Sequence, residues 1–213
     1  MKRLIIYLLI FIPLFSFSQT ENEILMMEHI NNIRTNPKTY IPYLDSIKSS
    51  KLLELEKEHF QKSVFISYGK NVSIFDKRID FLSSLIEDIE EAIIYLDTVK
   101  PVHKLIFDST MYNNLQKFDV NESFKWISKT KYVVKHISKI LPDHSLWGEN
   151  IYFNEEDPLL VTLGFVIDTG EENKDKGHRK NIFNPEWDVF AVIQSTDKST
   201  RISYIQNFAK LKN

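Results

Sequence analysis

A chain of 213 residues with 43% hydrophobic and 26% charged side chains is long enough for one compact domain with a real core, and its composition excludes a disordered or low-complexity protein. The formal net charge of −2 gives no electrostatic basis for binding nucleic acid. Because the chain has no cysteine, disulfide scaffolds, thiol enzymes and thiolate zinc sites are excluded as well.

The first 18 residues have the pattern of a secretory signal peptide. Lys2 and Arg3 form a basic start, residues 4–15 form an apolar run, and small serines precede a cleavage point after Ser18. The run is too short to span a bilayer, and no later stretch is long and apolar enough to do so. We therefore expect a secreted or periplasmic mature chain, residues 19–213, with no transmembrane helix. Its net charge would be −4, because the removed segment carries two basic and no acidic side chains.

Hydrophobic spacing predicts helices through the first two thirds of the mature chain. Apolar residues recur at steps of three and four in four predicted helices, at residues 21–34, 77–96, 109–118 and 123–140. The first of them should end at Asn36, because a residue before proline avoids the helical region. Residues 40–50 predict a further short helix, whereas residues 51–76 show no clean period and leave their structure open.

The last third of the chain predicts strands around one helix. The predicted strands are residues 148–153, 189–194 and 202–208, of which the last two would form an antiparallel hairpin. Asp157 and Pro158 should begin the helix, since proline suits a first turn, and Gly170 should end it. This order, helices followed by a sheet, indicates one α+β domain in which helices pack on an antiparallel sheet.

Four polar residues around that last helix suggest a shared cleft. They are two imidazoles and two carboxylates, His144, Glu149, Asp168 and His178. Imidazoles with carboxylates can bind zinc or another divalent cation, with His144 and His178 as the ligands, and the same groups can act as general acid and base. The spacing is not that of a self-contained metal motif. On spacing alone, hydrogen bonds that merely brace two loops are the simpler interpretation.

The segments that carry these residues resemble the bacterial secreted branch of the CAP superfamily of SCP-like domains. The similarity rests on HSLWGENIY and GHRKNIFNPEW, supported by EHINNIRTNPKTYI, AIIYLDTVKPVHKLIFDSTM and ISYIQNFA. It covers most of the chain from residue 19 onwards. Residues 47–76 have no counterpart in the family pattern, and Phe165 stands where members of this branch often have tryptophan.

The resemblance implies a three-layer α-β-α sandwich with a central antiparallel sheet and a cleft lined by two histidines and two acids. His144 and Glu149 match the histidine before the GENI motif and the acid within it, and His178 matches the histidine of the GHR motif. Asp168 matches the second acid best, with Glu171 as the alternative. In some members of the family the histidines hold a divalent ion, and some members bind sterols or other lipids.

Two functions follow as hypotheses. The first is a secreted, non-catalytic or weakly catalytic domain that binds a small extracellular ligand, such as a lipid or sterol, or a partner protein, with zinc or another divalent cation as an optional occupant. The second is a metal-assisted hydrolase of the peptidase or esterase kind, in which Glu149 polarises water on a metal held by His144 and His178. A serine hydrolase has little support, because no serine lies in a nucleophile elbow.

Overall fold

The computed structural model describes residues 19–116, 144–169, 175–195 and 202–212. The predicted signal peptide, the predicted helix at residues 123–140, Glu171, Gly170 and the hairpin turn lie outside these residues. Within the described ranges, no helix combines the length and the apolar character that crossing a membrane requires.

The first helix, α1 (Glu21–Thr35), forms as predicted and lies in the main core. Thr20 and Glu23 make a capping box, in which each side chain accepts a hydrogen bond from the backbone N–H of the other residue. Its buried apolar residues are Met26, Ile30 and Ile33. A single turn of 3₁₀ helix, Pro37–Tyr40, follows the helix end at Asn36.

Two long helices form a hairpin where the sequence was hardest to interpret. The predicted short helix continues without a break as α2 (Ile41–Ser67), and α3 (Ser73–Thr98) begins four residues earlier than predicted. Apolar residues lie on all sides of α2, which is why no period was visible. Salt bridges hold its outer half to α3, with Arg78 on both Glu54 and Glu58 at 2.8 Å.

Four described strands form one sheet in the order β1-β3-β4-β2. They are β1 (Ile106–Phe107), β2 (His144–Phe153), β3 (Val189–Gln194) and β4 (Ile202–Leu211). The hairpin of β3 and β4 is antiparallel, as predicted, and β2 also runs antiparallel to β4. The expectation of an antiparallel sheet was wrong in one respect. The sheet is mixed, because β1, too short to show a pattern, pairs in parallel with β3.

Helices cover both faces of this sheet. On one face, α1 and α5 (Pro158–Ile167) pack against Phe190, Val192, Tyr204 and Phe208. On the other face, α4 (Ser109–Gln116) packs against Val189, Ala191, Ile193, Ile205 and Ala209. The chain is therefore mixed α and β, with a four-stranded sheet between helical elements.

The predicted end of α5 was wrong. Asp157 caps its start as expected and accepts hydrogen bonds from the N–H groups of Leu159 and Leu160. The helix ends at Ile167, before Gly170, because Asp168 adopts the left-handed conformation with φ of 53°. A short helix, α6 (Gly177–Phe183), follows. His178 thus lies on a helix and His144 begins a strand. The interpretation that these histidines lie in two loops was therefore wrong.

Candidate functional site

The left-handed turn at Asp168 brings its carboxylate against the start of α6. The His178 imidazole Nδ1 lies 2.7 Å from one carboxylate oxygen of Asp168. The other oxygen accepts hydrogen bonds from the backbone N–H groups of His178, at 3.0 Å, and Arg179, at 3.4 Å. The Asp168 side chain therefore accepts from two N–H groups of the first helical turn, where such groups have no partner within the helix. It also orients the imidazole ring of His178.

This contact determines which nitrogen of His178 remains for chemistry. The carboxylate of Asp168 is fully buried and accepts hydrogen bonds, so Nδ1 carries the proton that points towards it. The side chain of His178 is 30% exposed, and its ring packs on Phe165 with centroids 5.3 Å apart. In the neutral ring Nε2 then has a free lone pair. That nitrogen can accept a hydrogen bond, bind a metal or take a proton.

His178 and Asp168 lie on the wall of a cavity of about 360 Å³. The cavity is bounded by α3, β2, α5 and the start of α6, and the residues that line it are Leu85, Ile151, Tyr152, Phe153, Gly164, Phe165, Ile167, Asp168, Thr169 and His178. Most of this wall is aliphatic or aromatic. A largely apolar concave site with a few oriented polar groups is typical of small-molecule binding sites.

Arg179 fixes the start of α6 to two other helices. Its guanidinium makes a two-pronged ion pair with Glu91 of α3, at 2.7 and 3.1 Å. It also donates to the carbonyl oxygens of Val166 and Ile167 at the end of α5, and lies 4.9 Å from the ring centroid of Tyr95. The Arg179 hydrogen bond holds the pKa of Glu91 below its usual range.

Two asparagine side chains connect β2 to α6 next to His178. Asn181 donates to the backbone oxygen of Glu149 at 3.1 Å and to the side-chain oxygen of Asn150 at 2.9 Å. Asn150 donates in turn to the backbone oxygen of His178 at 3.3 Å. A Cβ on Gly148 would lie only 2.7 Å from the Asn181 side chain, so the glycine of GENI permits this close packing. Both asparagines therefore brace the site.

Glu149 points away from these asparagines. Its strand partner is Asn207, whereas Asn150 pairs with Gln206, and neighbouring residues of a strand point to opposite faces. Glu149 therefore lies on the α4 face of the sheet, while α6 carries His178 on the other face. Burial raises the pKa of Glu149, although the nearby Asn207 amide partly opposes this shift.

Of the four predicted site residues, the structure brings Asp168 and His178 into contact. The backbone of His144 begins β2, but its side chain lies outside the described part of the structure. Among the side chains that are described, no three histidine, aspartate or glutamate residues converge as metal ligands would. The structure places Glu149 on the face of the sheet opposite His178, so the described residues do not form the predicted cleft around Glu149. That His144 and His178 hold a metal stays a prediction.

Leu85 and Tyr152 are site residues that the sequence did not single out. Leu85 belongs to the predicted helix at residues 77–96 and Tyr152 to the predicted strand at residues 148–153. They face the cavity because the chain brings α3 and β2 beside α5. The only sequence signal near them is Gly164, since a glycine inside a helix indicates close packing by another group.

The first test of this packing is substitution of Gly164 by alanine. A Cβ there would overlap the hydroxyl and the ring of Tyr152, so the ring or the helix must shift. We expect a loss of about 1–3 kcal/mol in the free energy of unfolding. Gly177→Ala is the matched control, because nothing lies within 4 Å of its added Cβ. Denaturant unfolding should show no loss for the control, and equal losses would contradict the packing.

The raised pKa of Glu149 predicts a pH-dependent effect of Glu149→Gln. The folded state holds the proton of Glu149 more tightly than the unfolded state, so this residue costs stability as the pH rises above the usual value of 4.5. Glutamine removes that cost. We expect the variant to be more stable than the wild type at pH 7, by about 1 kcal/mol, and equally stable near pH 3. Thermal unfolding of both proteins between pH 3 and pH 7 measures this. A stability difference between variant and wild type that does not change with pH would contradict the burial of Glu149.

Comparison of the chain with models of protein families, with curated proteins and with solved structures gave no match in any of the three.

Proposed function

We propose that this chain is a secreted, CAP-like binding protein whose cavity holds a small, largely apolar extracellular ligand. The polar group of the ligand would meet Nε2 of His178. The observation that supports this most is the position of the Asp168–His178 pair on the wall of a mainly apolar cavity of about 360 Å³. The helices on both faces of the sheet support the three-layer arrangement that the resemblance implies.

The composition of the wall favours binding over catalysis. The acid and the imidazole on the wall are hydrogen-bonded to each other, which leaves one ring nitrogen as the polar anchor. Aliphatic and aromatic side chains supply the remaining contact area, and burial of apolar surface drives association of such ligands. A lipid or sterol with one hydroxyl or carboxyl group fits this pattern, because neutral Nε2 accepts from a hydroxyl and a protonated ring donates to a carboxylate.

A divalent cation is an optional part of the proposal. An imidazole that donates its other N–H to a carboxylate is the usual form of a histidine metal ligand, and His178 with Asp168 fits it. His144 and His178 would hold zinc, which would polarise a bound water or carbonyl oxygen. The same pair also supports the second candidate, a metal-assisted peptidase or esterase, because a carboxylate that orients a histidine is common to general-base sites.

Binding of the fluorescent probe anilinonaphthalene sulfonate, which is apolar and carries one anionic group, tests the first function. We expect Leu85→Trp, which fills the cavity, to lower the affinity for the probe at least about tenfold, and His178→Phe to lower it less. His59→Phe is the matched control, because His59 is an exposed histidine on α2. Melting curves verify that each variant folds. Unchanged binding by the folded Leu85→Trp variant would rule out the cavity as the site.

Zinc calorimetry separates the two candidates. Wild-type protein is compared with His144→Ala and His178→Ala, and all three are assayed against peptide and ester substrates. Loss of zinc binding in both variants would support the assignment of His144 and His178 as metal ligands. Zinc-dependent hydrolysis by the wild type that is lost in both histidine variants would favour the hydrolase. Binding of the fluorescent probe without any hydrolysis would favour the ligand-binding protein.

A further inference from the structure

The helical hairpin of α2 and α3 extends well beyond the domain core. Residues of α2 belong to the two core clusters only up to Ile47, and residues of α3 only from Leu85 onwards, in the part of the chain that the structure describes. The 20 residues that follow Ile47, up to Ser67, correspond to about 30 Å of helix. The outer half of the hairpin is thus an arm, held together by its own contacts.

The tip of this arm, residues 61–78, is ordered by aromatic packing. The rings of Phe65 and Phe75 meet edge to face with centroids 4.9 Å apart, and the ammonium of Lys70 lies 5.3 Å from the Phe65 centroid. Lys62 and Asp76 join the two helices by a salt bridge of 2.5 Å. These contacts close the turn and direct other apolar side chains outwards.

Three large apolar side chains project from the tip. Ile66 is 57% exposed, and Tyr68 and Ile74 are each 73% exposed. They lie on both sides of the turn, at the far end of the arm. Exposing apolar groups of this size costs solvation free energy, which a partner that covers them would recover.

The charge of the tip differs from that of the whole chain. Residues 61–78 contain four basic side chains and one acidic side chain, whereas the full chain has a net charge of −2. Lys62 pairs with Asp76, and Arg78 with Glu54 and Glu58, so the excess positive charge of the tip rests on Lys70 and Lys77. Apolar and aromatic side chains with basic residues around them are the composition of segments that insert into the interface of anionic membranes. Tyrosine is favoured at that interface, because its ring is apolar and its hydroxyl stays hydrated.

We propose that the hairpin tip is a membrane-docking element that inserts Ile66, Tyr68 and Ile74 into the surface of an anionic phospholipid bilayer. The shape favours a bilayer over a protein surface, because the tip is the convex end of an arm and a bilayer needs no complementary pocket to accept it. The net positive charge favours lipids over a second copy of this chain, since two such tips would repel each other. Docking would hold the domain about 30 Å from the lipid surface.

Co-sedimentation with vesicles tests this proposal. The protein lacking residues 1–18 is mixed with vesicles of equal parts phosphatidylglycerol and phosphatidylcholine, or of phosphatidylcholine alone. We expect binding to the anionic vesicles that weakens as salt is added. Ile66→Ser combined with Ile74→Ser should reduce the partition coefficient at least about tenfold. The matched control is Leu53→Ser with Ile94→Ser, which removes two aliphatic side chains of similar exposure, 67% and 65%, from elsewhere on the two helices.

A fluorescence measurement locates the contact independently of affinity. Tyr68→Trp should show a blue shift on addition of anionic vesicles and quenching by brominated lipid, whereas Leu53→Trp should show neither. Absence of binding to anionic vesicles, or equal loss in the tip and control variants, would overturn the proposal. Sedimentation velocity tests the alternative that the tip binds a second copy of this chain. A dimer that is lost in the variant Ile66→Ser with Ile74→Ser would show self-association instead of membrane docking.

Discussion

Substitution of Arg179 by methionine is expected to lower the free energy of unfolding by about 2–4 kcal/mol. Arg179 is buried, and its guanidinium is the shared partner of Glu91 and of the carbonyl oxygens of Val166 and Ile167. Methionine fills a similar volume but donates no hydrogen bond, so two buried carbonyl oxygens lose their donors and Glu91 loses its counter-ion. Urea unfolding measured for variant and wild type gives the difference directly.

Two companion variants make that result interpretable. Arg179→Lys should lie between wild type and Arg179→Met, because a lysine keeps the charge but cannot make the two-pronged contact with Glu91. Lys180→Met removes a neighbouring exposed cation of the same helix and should change stability by less than about 0.5 kcal/mol. If Arg179→Met and Lys180→Met behaved alike, Arg179 would not be the group that holds α6 to α3 and α5.

Substitution of Asp168 by alanine is expected to cost about 3–5 kcal/mol in the free energy of unfolding. It should also remove the part of probe and zinc binding that His178 contributes. The change removes the acceptor of three N–H groups and leaves a non-glycine residue at φ of 53°, where aspartate is tolerated better than alanine. Without the carboxylate the ring of His178 is free to turn and to change the nitrogen that carries its proton.

Two other substitutions separate the causes of this loss. Asp168→Gly removes the same side chain without the strain of the left-handed backbone, so it should cost less than Asp168→Ala. Asp157→Ala removes the aspartate at the opposite end of α5, which caps only two N–H groups, and should cost about 1 kcal/mol with little effect on binding. Equal losses at residues 157 and 168 would contradict the special role of Asp168.

The parts of the fold with a clear hydrophobic period could be predicted from the sequence. Met26, Ile30 and Ile33 on α1 recur at helical spacing and are buried together, and the apolar strands β3 and β4 form the expected hairpin. Only the first part of α2 could be predicted, and its full length could not, since only Leu44 and Glu58 are buried among its 27 residues. Its apolar side chains lie on all sides, because the outer half of the helix packs only on part of its surface.

The candidate site depended on tertiary structure to a greater degree. Asp168 was chosen from its resemblance to a family position, but its left-handed conformation and its triple acceptor role are not visible in FVIDTG. Leu85 is 93 residues from His178 in the chain, and only the packing of α3 beside α5 places both at one cavity. The alternation of side chains along β2 predicts that Glu149 and Asn150 point to opposite faces of the sheet. The pairing with β4 was needed to assign each residue to one face.

Nitrogen-15 NMR of histidine-labelled protein shows whether Asp168 holds His178 with Nε2 free to meet a ligand. At a pH where the ring is neutral, we expect His178 to carry its proton on Nδ1, and we expect anilinonaphthalene sulfonate or zinc to shift the Nε2 resonance. A proton on Nε2 in the folded protein, or an Nε2 resonance that neither probe changes, would contradict this arrangement.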